Sequence, residues 1–282
     1  MVCRQGRLFC SLMVVTLLTA SLARAQECAD IGSSTQQGGL LWGRVLPGSE
    51  VRLDETVVPV LPDGLFLLGF GRDAAPHYTL NVVSASGDCA QSITVKAREY
   101  NIQRVEGVPQ RTVEPPQEQL ERIARERAIV RAAKTRRIIR PDLLDAARDG
   151  FSWPAVGPIS GVYGSQRFYN GKPGSPHYGV DVAVPTGSPV VAPAPGIVTL
   201  AEPDLFYSGG TVILDHGYGL SSSFLHMSRV DVAVGDELAV GDPIGAVGAT
   251  GRATGAHLDW RMSWMNERID PQLLVPAMPE SQ

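Results

Sequence analysis

Residues 188–202, SPVVAPAPGIVTLAE, with 209–219, GGTVILDHGYG, and 230–248, VDVAVGDELAVGDPIGAVG, decide the fold of this chain. Each holds short apolar, β-branched runs that end on Gly or Pro within a few positions. Nowhere in them do apolar residues recur at a helical period. Strands this short, punctuated this often, make a compact all-β unit rich in tight turns. The shift in composition that opens it falls near Phe151, so the unit is taken as 151–282.

Upstream, VRLDETVVPVLPDGLFLLGF (51–70) and YTLNVVSASGDCAQSITVKAREY (78–100) carry apolar runs between Pro-Asp-Gly and Ser-Gly-Asp breaks. Several strands at that spacing predict a small β-sandwich over 26–103. It shows no catalytic constellation, and His77 reads as an exposed loop residue. Pro109 and Pro115-Pro116 mark a linker, 104–150, whose QEQLERIARERAIVRAAKTRR (117–137) is helical. Leu120, Ile123, Ala124, Ile129 and Val130 form its moderately amphipathic stripe. Its arginines alternate with Glu118, Glu121 and Glu126, the pattern of an ion-paired, solvated face. Attraction to an anionic wall polymer or membrane surface is the functional alternative. The fold class is therefore mainly β, with a helical linker between two β units.

The first 25 residues read as a secretory signal. Arg4 and Arg7 precede an apolar run, Leu8–Leu22, that ends at Ala23-Arg24-Ala25, a small-x-small cleavage site. The run is shorter than the ~20 residues a membrane helix needs, so no transmembrane anchor is expected after cleavage. Loss of three arginines takes the formal charge from −4 to −7. Glu27 before Cys28 is wrong for lipid attachment. The product is expected to be periplasmic or secreted. Cys28 and Cys89 would then be the remaining cysteines, and an oxidising compartment pairs them in one disulfide. Without excess positive charge to neutralise phosphates, nucleic acid is not an expected partner.

Four of the five histidines fall late: His177 in HYGVD, His216 in DHGYG, His226 in FLHMS and His257 in TGAHLDW. Asp181 follows His177 by four positions and Asp259 follows His257 by two. Even spacings put side chains on one face of extended chain, so separate segments can aim imidazoles and carboxylates at one point. A metal site with proton-transfer groups beside it needs that arrangement. His216 reads as a turn residue outside any site. No HExxH stretch occurs, so a glutamate base on a zinc-binding helix is unavailable.

The segments HYGVDVAVPTGSPVVAPAPGIV, FLHMSRV with VAVGDELAVGDPIGAVG, and TGRATGAHLDW stand in an order and spacing that resemble the LytM/lysostaphin-type zinc metalloendopeptidases, peptidase family M23. The resemblance covers roughly 155–265 and implies a LytM-like antiparallel β domain. It also implies one Zn2+ ion held by His177, Asp181 and the residue at Asp259, where the family has the second histidine of a His-x-His pair. Aspartate binds zinc at about the imidazole distance. Two carboxylates cancel the ion's formal charge, which weakens its polarising power. Asp259 is accordingly a ligand or, failing that, a carboxylate orienting His257. His226 and His257 match the family's non-ligand histidines. His226 is read as the general base toward water and His257 as the group stabilising the oxyanion, although a neutral imidazole suits either role. Gly179, Gly196, Gly251 and Gly255 read as turn or left-handed positions. Phe168, Tyr169 and Trp260 are candidate groove aromatics, with core packing an equal reading for Trp260.

The function implied is zinc-dependent hydrolysis of the peptide cross-links of bacterial peptidoglycan, with a regulatory envelope protein as a further partner. The competing reading is a weakened or inactive relative that binds wall and regulates another hydrolase. A lipoyl or biotin carrier is excluded, because Lys96, Lys134 and Lys172 are the only lysines and none lies in the later barrel region.

Overall fold

Alternation along the strand Leu258–Trp264 sets the architecture around the site. Leu258, Trp260, Met262 and Trp264 are buried in the apolar core, while Asp259, Arg261 and Ser263 take the opposite face. In this computed structural model, which describes residues 28–107 and 117–279, that strand sits inside an eight-stranded sheet. The order runs Ile159–Gly161, Val180–Val182, Leu258–Trp264, Leu220–Met227, Gly209–Asp215, Gly196–Leu205 and Glu237–Leu238, with Glu267–Ile269 also paired to Leu258–Trp264. All these pairings are antiparallel. Phe224 faces Trp260 and Ser222 faces Met262 across neighbouring strands, which pins the register from the core side. The expected signal segment, Pro109 and the Pro115-Pro116 pair lie outside the described residues.

Residues 30–96 supply two further sheets. One joins Asp30–Ile31, Leu40–Arg44 and Leu65–Gly69; the other has five strands around the hairpin His77–Ser84 and Gly87–Lys96. Cys28 and Cys89 are disulfide-bonded, with Cα atoms 5.7 Å apart. His77 is exposed but opens a strand instead of sitting in a loop. Strand therefore dominates both halves, as the turn spacing predicted.

The halves share one apolar cluster, which runs from Phe66, Leu68 and Leu80 to Trp264 and Ile269. Gly69 packs so closely there that a β-carbon would meet Ile269 and Trp264 at 2.9 Å. Polar contacts reinforce the seam. Arg98 Nη1 meets the buried Asp270 Oδ2 at 2.8 Å, and the Asp270 amide donates to Gly38 O. Ile102–Val105 pairs in parallel with Gln166–Tyr169, so chain from the end of the first unit forms sheet with the second.

Two helices intervene. In α1, Leu120–Thr135, Ile123 and Ala133 are buried, and Val130 and Ala133 pack against Leu200, Leu205 and Ile213. Leu120 and Ile129 are exposed, so the buried stripe is narrower than the sequence reading; Ile129 falls a third of a turn away from Ile123. Arg122 pairs with Glu126 at 2.6 Å and Asp204 at 3.0 Å, an ion-paired face. A second helix, α2 (Pro141–Arg148), begins with Pro at its first turn and buries Leu143, Leu144 and Ala147. No helix among the described residues is long and apolar enough to cross a membrane.

Candidate metal centre

Asp181 and Asp259 are direct neighbours across the pairing of Val180–Val182 with Leu258–Trp264. Gly161 opposite Asp181 has no side chain for a reason: a β-carbon there would stand 2.2 Å from Asp181 Oδ2. His177 lies outside any strand, so its place in the site does not come from strand alternation. Its amide donates to Ser165 O, and its carbonyl accepts from Gly164 N–H, each at 2.8 Å. The loop thus held brings His177 Nε2 to 3.1 Å from Asp181 Oδ1. Both atoms are buried and neither makes a hydrogen bond. Ligand atoms of His177, Asp181 and Asp259 all lie within 4.8 Å of one another. Leaving two buried polar atoms unsatisfied costs on the order of 1–3 kcal/mol each. A divalent cation accepting all three donors removes that cost, and the donor set of one imidazole and two carboxylates suits zinc. The residues present fit such an ion.

Asp259 has a second partner. Arg261, two residues along the same strand face, donates from Nη2 to Oδ2 at 2.5 Å and from Nε to both carboxylate oxygens at 3.0 Å. Asp259 is only 2 % exposed. Burial is the largest influence and would raise its pKa, but the charge and hydrogen bonds of Arg261, with His177 and His226 nearby, together hold the carboxyl below its ordinary value. The carboxylate is charged and oriented.

His226 and His257 stand beside this group with ring centroids 4.9 Å apart. His226 sits on Leu220–Met227 with a left-handed backbone, φ 64°, which tips its ring out of the strand's regular alternation. Its Nδ1–H donates to Thr250 O at 2.8 Å, and His257 Nδ1–H donates to Gly255 O at 2.9 Å. Each ring is thereby fixed in one tautomer with Nε2 as the free lone pair. Burial pushes His226 below the ordinary imidazole range, partly offset by the Thr250 carbonyl, so it is neutral at pH 7. His257 Nε2 lies 3.8 Å from Asp181 Oδ1.

All five candidate residues converge, and His216 does not join them. It is fully buried, bonded through Nδ1 to Pro195 O and through Nε2 to Ser222 Oγ. Trp260 is also core: it is fully buried, edge-on to Trp153, with Nε1 donating to Ser222 Oγ at 3.3 Å. Phe168 and Tyr169 are half-buried on Gln166–Tyr169. Of the four glycines expected in turn or left-handed conformations, Gly251 has φ 65°. Gly179 is needed for close approach instead, since a β-carbon would meet Trp260 O at 2.5 Å and Asp259 Oδ1 at 2.6 Å.

Sequence reasoning missed the cations on the Asp259 face. Besides Arg261, Arg268 donates to Ser263 Oγ at 2.9 Å, and Lys134 of α1 reaches the same hydroxyl at 3.4 Å. Burial, with Arg268 and Arg261 nearby, pushes the Lys134 ammonium well below its ordinary pKa. The 259–261–263 alternation was the available signal for Arg261. Lys134 comes from a helix packed on the sheet, which no local pattern announces.

Comparison with known proteins agrees with this geometry. Residues 175–271 match the model of peptidase family M23, a segment that contains all five site residues. The chain is 36 % identical over 88 residues to the peptidoglycan DD-endopeptidase ShyA of Vibrio cholerae, covering 31 % of this chain and 20 % of that protein. It is 35 % identical over 104 residues to the DD-carboxypeptidase/endopeptidase Mpg of Neisseria meningitidis, covering 37 % of this chain and 24 % of Mpg. The match thus spans a quarter or less of each of these relatives. A crystal structure of a Pseudomonas aeruginosa protein assigned to peptidase M23 superposes with a TM-score of 0.63 at 30 % identity, over 84 % of this chain and 93 % of that one. Since the likeness to that protein holds at 30 % identity through nearly its whole length, the chain belongs to peptidase family M23.

Proposed function

We propose that this protein is an exported, zinc-dependent endopeptidase that cleaves peptide cross-links of bacterial peptidoglycan. The observation that carries the reading is the convergence of His177 Nε2, Asp181 Oδ1 and the Asp259 carboxylate beside two imidazoles held with Nε2 free. Peptidoglycan as substrate draws support from ShyA and Mpg.

His177, Asp181 and Asp259 would hold the ion, which supplies a Lewis acid for a peptide carbonyl and for the attacking water. His226, buried and neutral, is the general base: Nε2 takes the water proton and returns it to the leaving amine. Its Nδ1–H bond to Thr250 O stays in place throughout and orients the ring. His257 has its Nδ1 proton committed to Gly255 O, so it donates to the developing oxyanion only with a second proton on Nε2. The N-terminal sandwich would position or restrain the catalytic half.

Digestion of purified sacculi by the full chain tests the reading: release of soluble, uncross-linked glycan strands is expected, is lost on chelation and returns with added zinc. Release that survives exhaustive chelation sinks the metal mechanism. A second reading, a wall-binding relative that regulates another hydrolase, draws on the Asp259–Arg261 fork, which engages both oxygens of one expected ligand. Under it the purified protein binds sacculi without zinc and releases nothing.

A further inference from the structure

The fork on Asp259 bears on the charge of the site. Two carboxylates, Asp181 and Asp259, face the point where His177 Nε2 converges with them. Set against a divalent cation they would leave no net positive charge, and an uncharged centre polarises a carbonyl poorly. Arg261 changes that balance. Its guanidinium is permanently cationic, lies on the same face as Asp259 and makes the bidentate contact typical of a tight Arg–carboxylate pair. A carboxylate offers about four lone-pair positions, so one that receives a guanidinium fork still has a lone pair for a metal. Ligating carboxylates are ordinarily held by hydrogen bonds of this kind.

We propose that Arg261 is the positioning residue that makes Asp259 act as an electrically neutral ligand. The Asp259–Arg261 pair carries no net charge, as an imidazole in that place would carry none, so the centre keeps one positive charge with a ligand set containing two acids. The aspartate and the arginine form one unit, and either alone is damaging. The inference rests on the metal-centre reading above and adds a residue to it.

The test is a zinc-affinity cycle on the full chain, read by competition with a chromophoric chelator, with thermal unfolding of each metal-free variant alongside. Wild type is expected to bind one zinc. D259H supplies the softer imidazole but strands a part-buried guanidinium beside the ion, so it should bind zinc at least about tenfold more weakly and melt lower. D259H/R261M removes the stranded charge and should recover most of the lost affinity, to within several-fold of wild type. A merely structural Arg261 would give the opposite second step, because deleting it would cost affinity again. If D259H does not fold, the isosteric D259N with and without R261M repeats the comparison, with the same gain expected in the double variant. Zinc in wild type together with D259H as tight as wild type, or with no gain from R261M, overturns the inference and leaves the metal centre standing. A wild type that takes up no zinc overturns both.

Discussion

Asp215 and His216 are adjacent, buried and titrate in opposing senses, so replacing one should expose the pH dependence of the other. Burial pushes the Asp215 carboxyl up to about 7 from an ordinary 3.8, against the lowering effect of the Gly217 amide it accepts from. Burial pushes the His216 imidazole down to about 4 from 6.5, against its bond to Pro195 O. The folded chain therefore holds the Asp215 proton more tightly than the unfolded chain, and stability falls as pH rises from about 4 to 7. For His216 the unfolded chain binds the proton more tightly, so stability rises between about pH 4 and 6.5. At about 1.4 kcal/mol per pH unit, the first contribution is roughly 4 kcal/mol and the second roughly 3 kcal/mol. The two nearly cancel in the wild type. D215N keeps the acceptor for Gly217 N–H and removes the carboxyl titration. Urea unfolding of D215N and wild type at stepped pH isolates this group, because every other titration is common to both. The stability difference, variant minus wild type, should climb by about 4 kcal/mol from pH 4 to 7. A difference that stays level within about 1 kcal/mol across that range refutes the assignment of a protonated, buried Asp215.

Three other outcomes follow from contacts already described. H226A should lower turnover on sacculi by about 10²–10⁴-fold while zinc content, measured by atomic emission, stays stoichiometric; parallel loss of metal would contradict its placement as a base. R98M leaves the buried Asp270 carboxylate without its guanidinium, which costs on the order of 3–5 kcal/mol and lowers the unfolding midpoint, unlike charge removal at the exposed Arg229–Asp231 pair. G179A puts a methyl group into Trp260 O and the Asp259 carboxylate, so zinc affinity should drop at least tenfold with little change in secondary structure by circular dichroism.

Much of this was legible in the sequence, and the limits have physical causes. Turn residues at short intervals announce strands, because Gly and Pro act locally, and both β units could be read that way. The Cys28–Cys89 pairing was read instead from the two cysteines left after the expected signal in an oxidising compartment. The five candidate site residues were singled out through motif order, and they lie together in the fold. The even-spacing argument holds for Asp259 on its strand but not for His177, which is placed by hydrogen bonds to Ser165 and Gly164 from a separate loop. Arg261 could have been found by carrying the alternation one step beyond Asp259. The second helix was signalled by Pro141 and the spacing of Leu143, Leu144 and Ala147, but it is short enough to pass for linker. Lys134 reaches the site's face only through tertiary packing, whereas Arg268 pairs with Ser263 across a tight hairpin.

The seam between the halves also governs how the chain can be cut. A fragment starting at Phe151 would deprive Gln166–Tyr169 of its parallel neighbour, leaving a raw sheet edge. It would also bare Trp264 and Ile269 to water, an invitation to self-association. The point where composition changes is thus not a point where the molecule comes apart. Expression of the peptidase portion by itself should yield aggregate unless residues 28–105 are supplied with it.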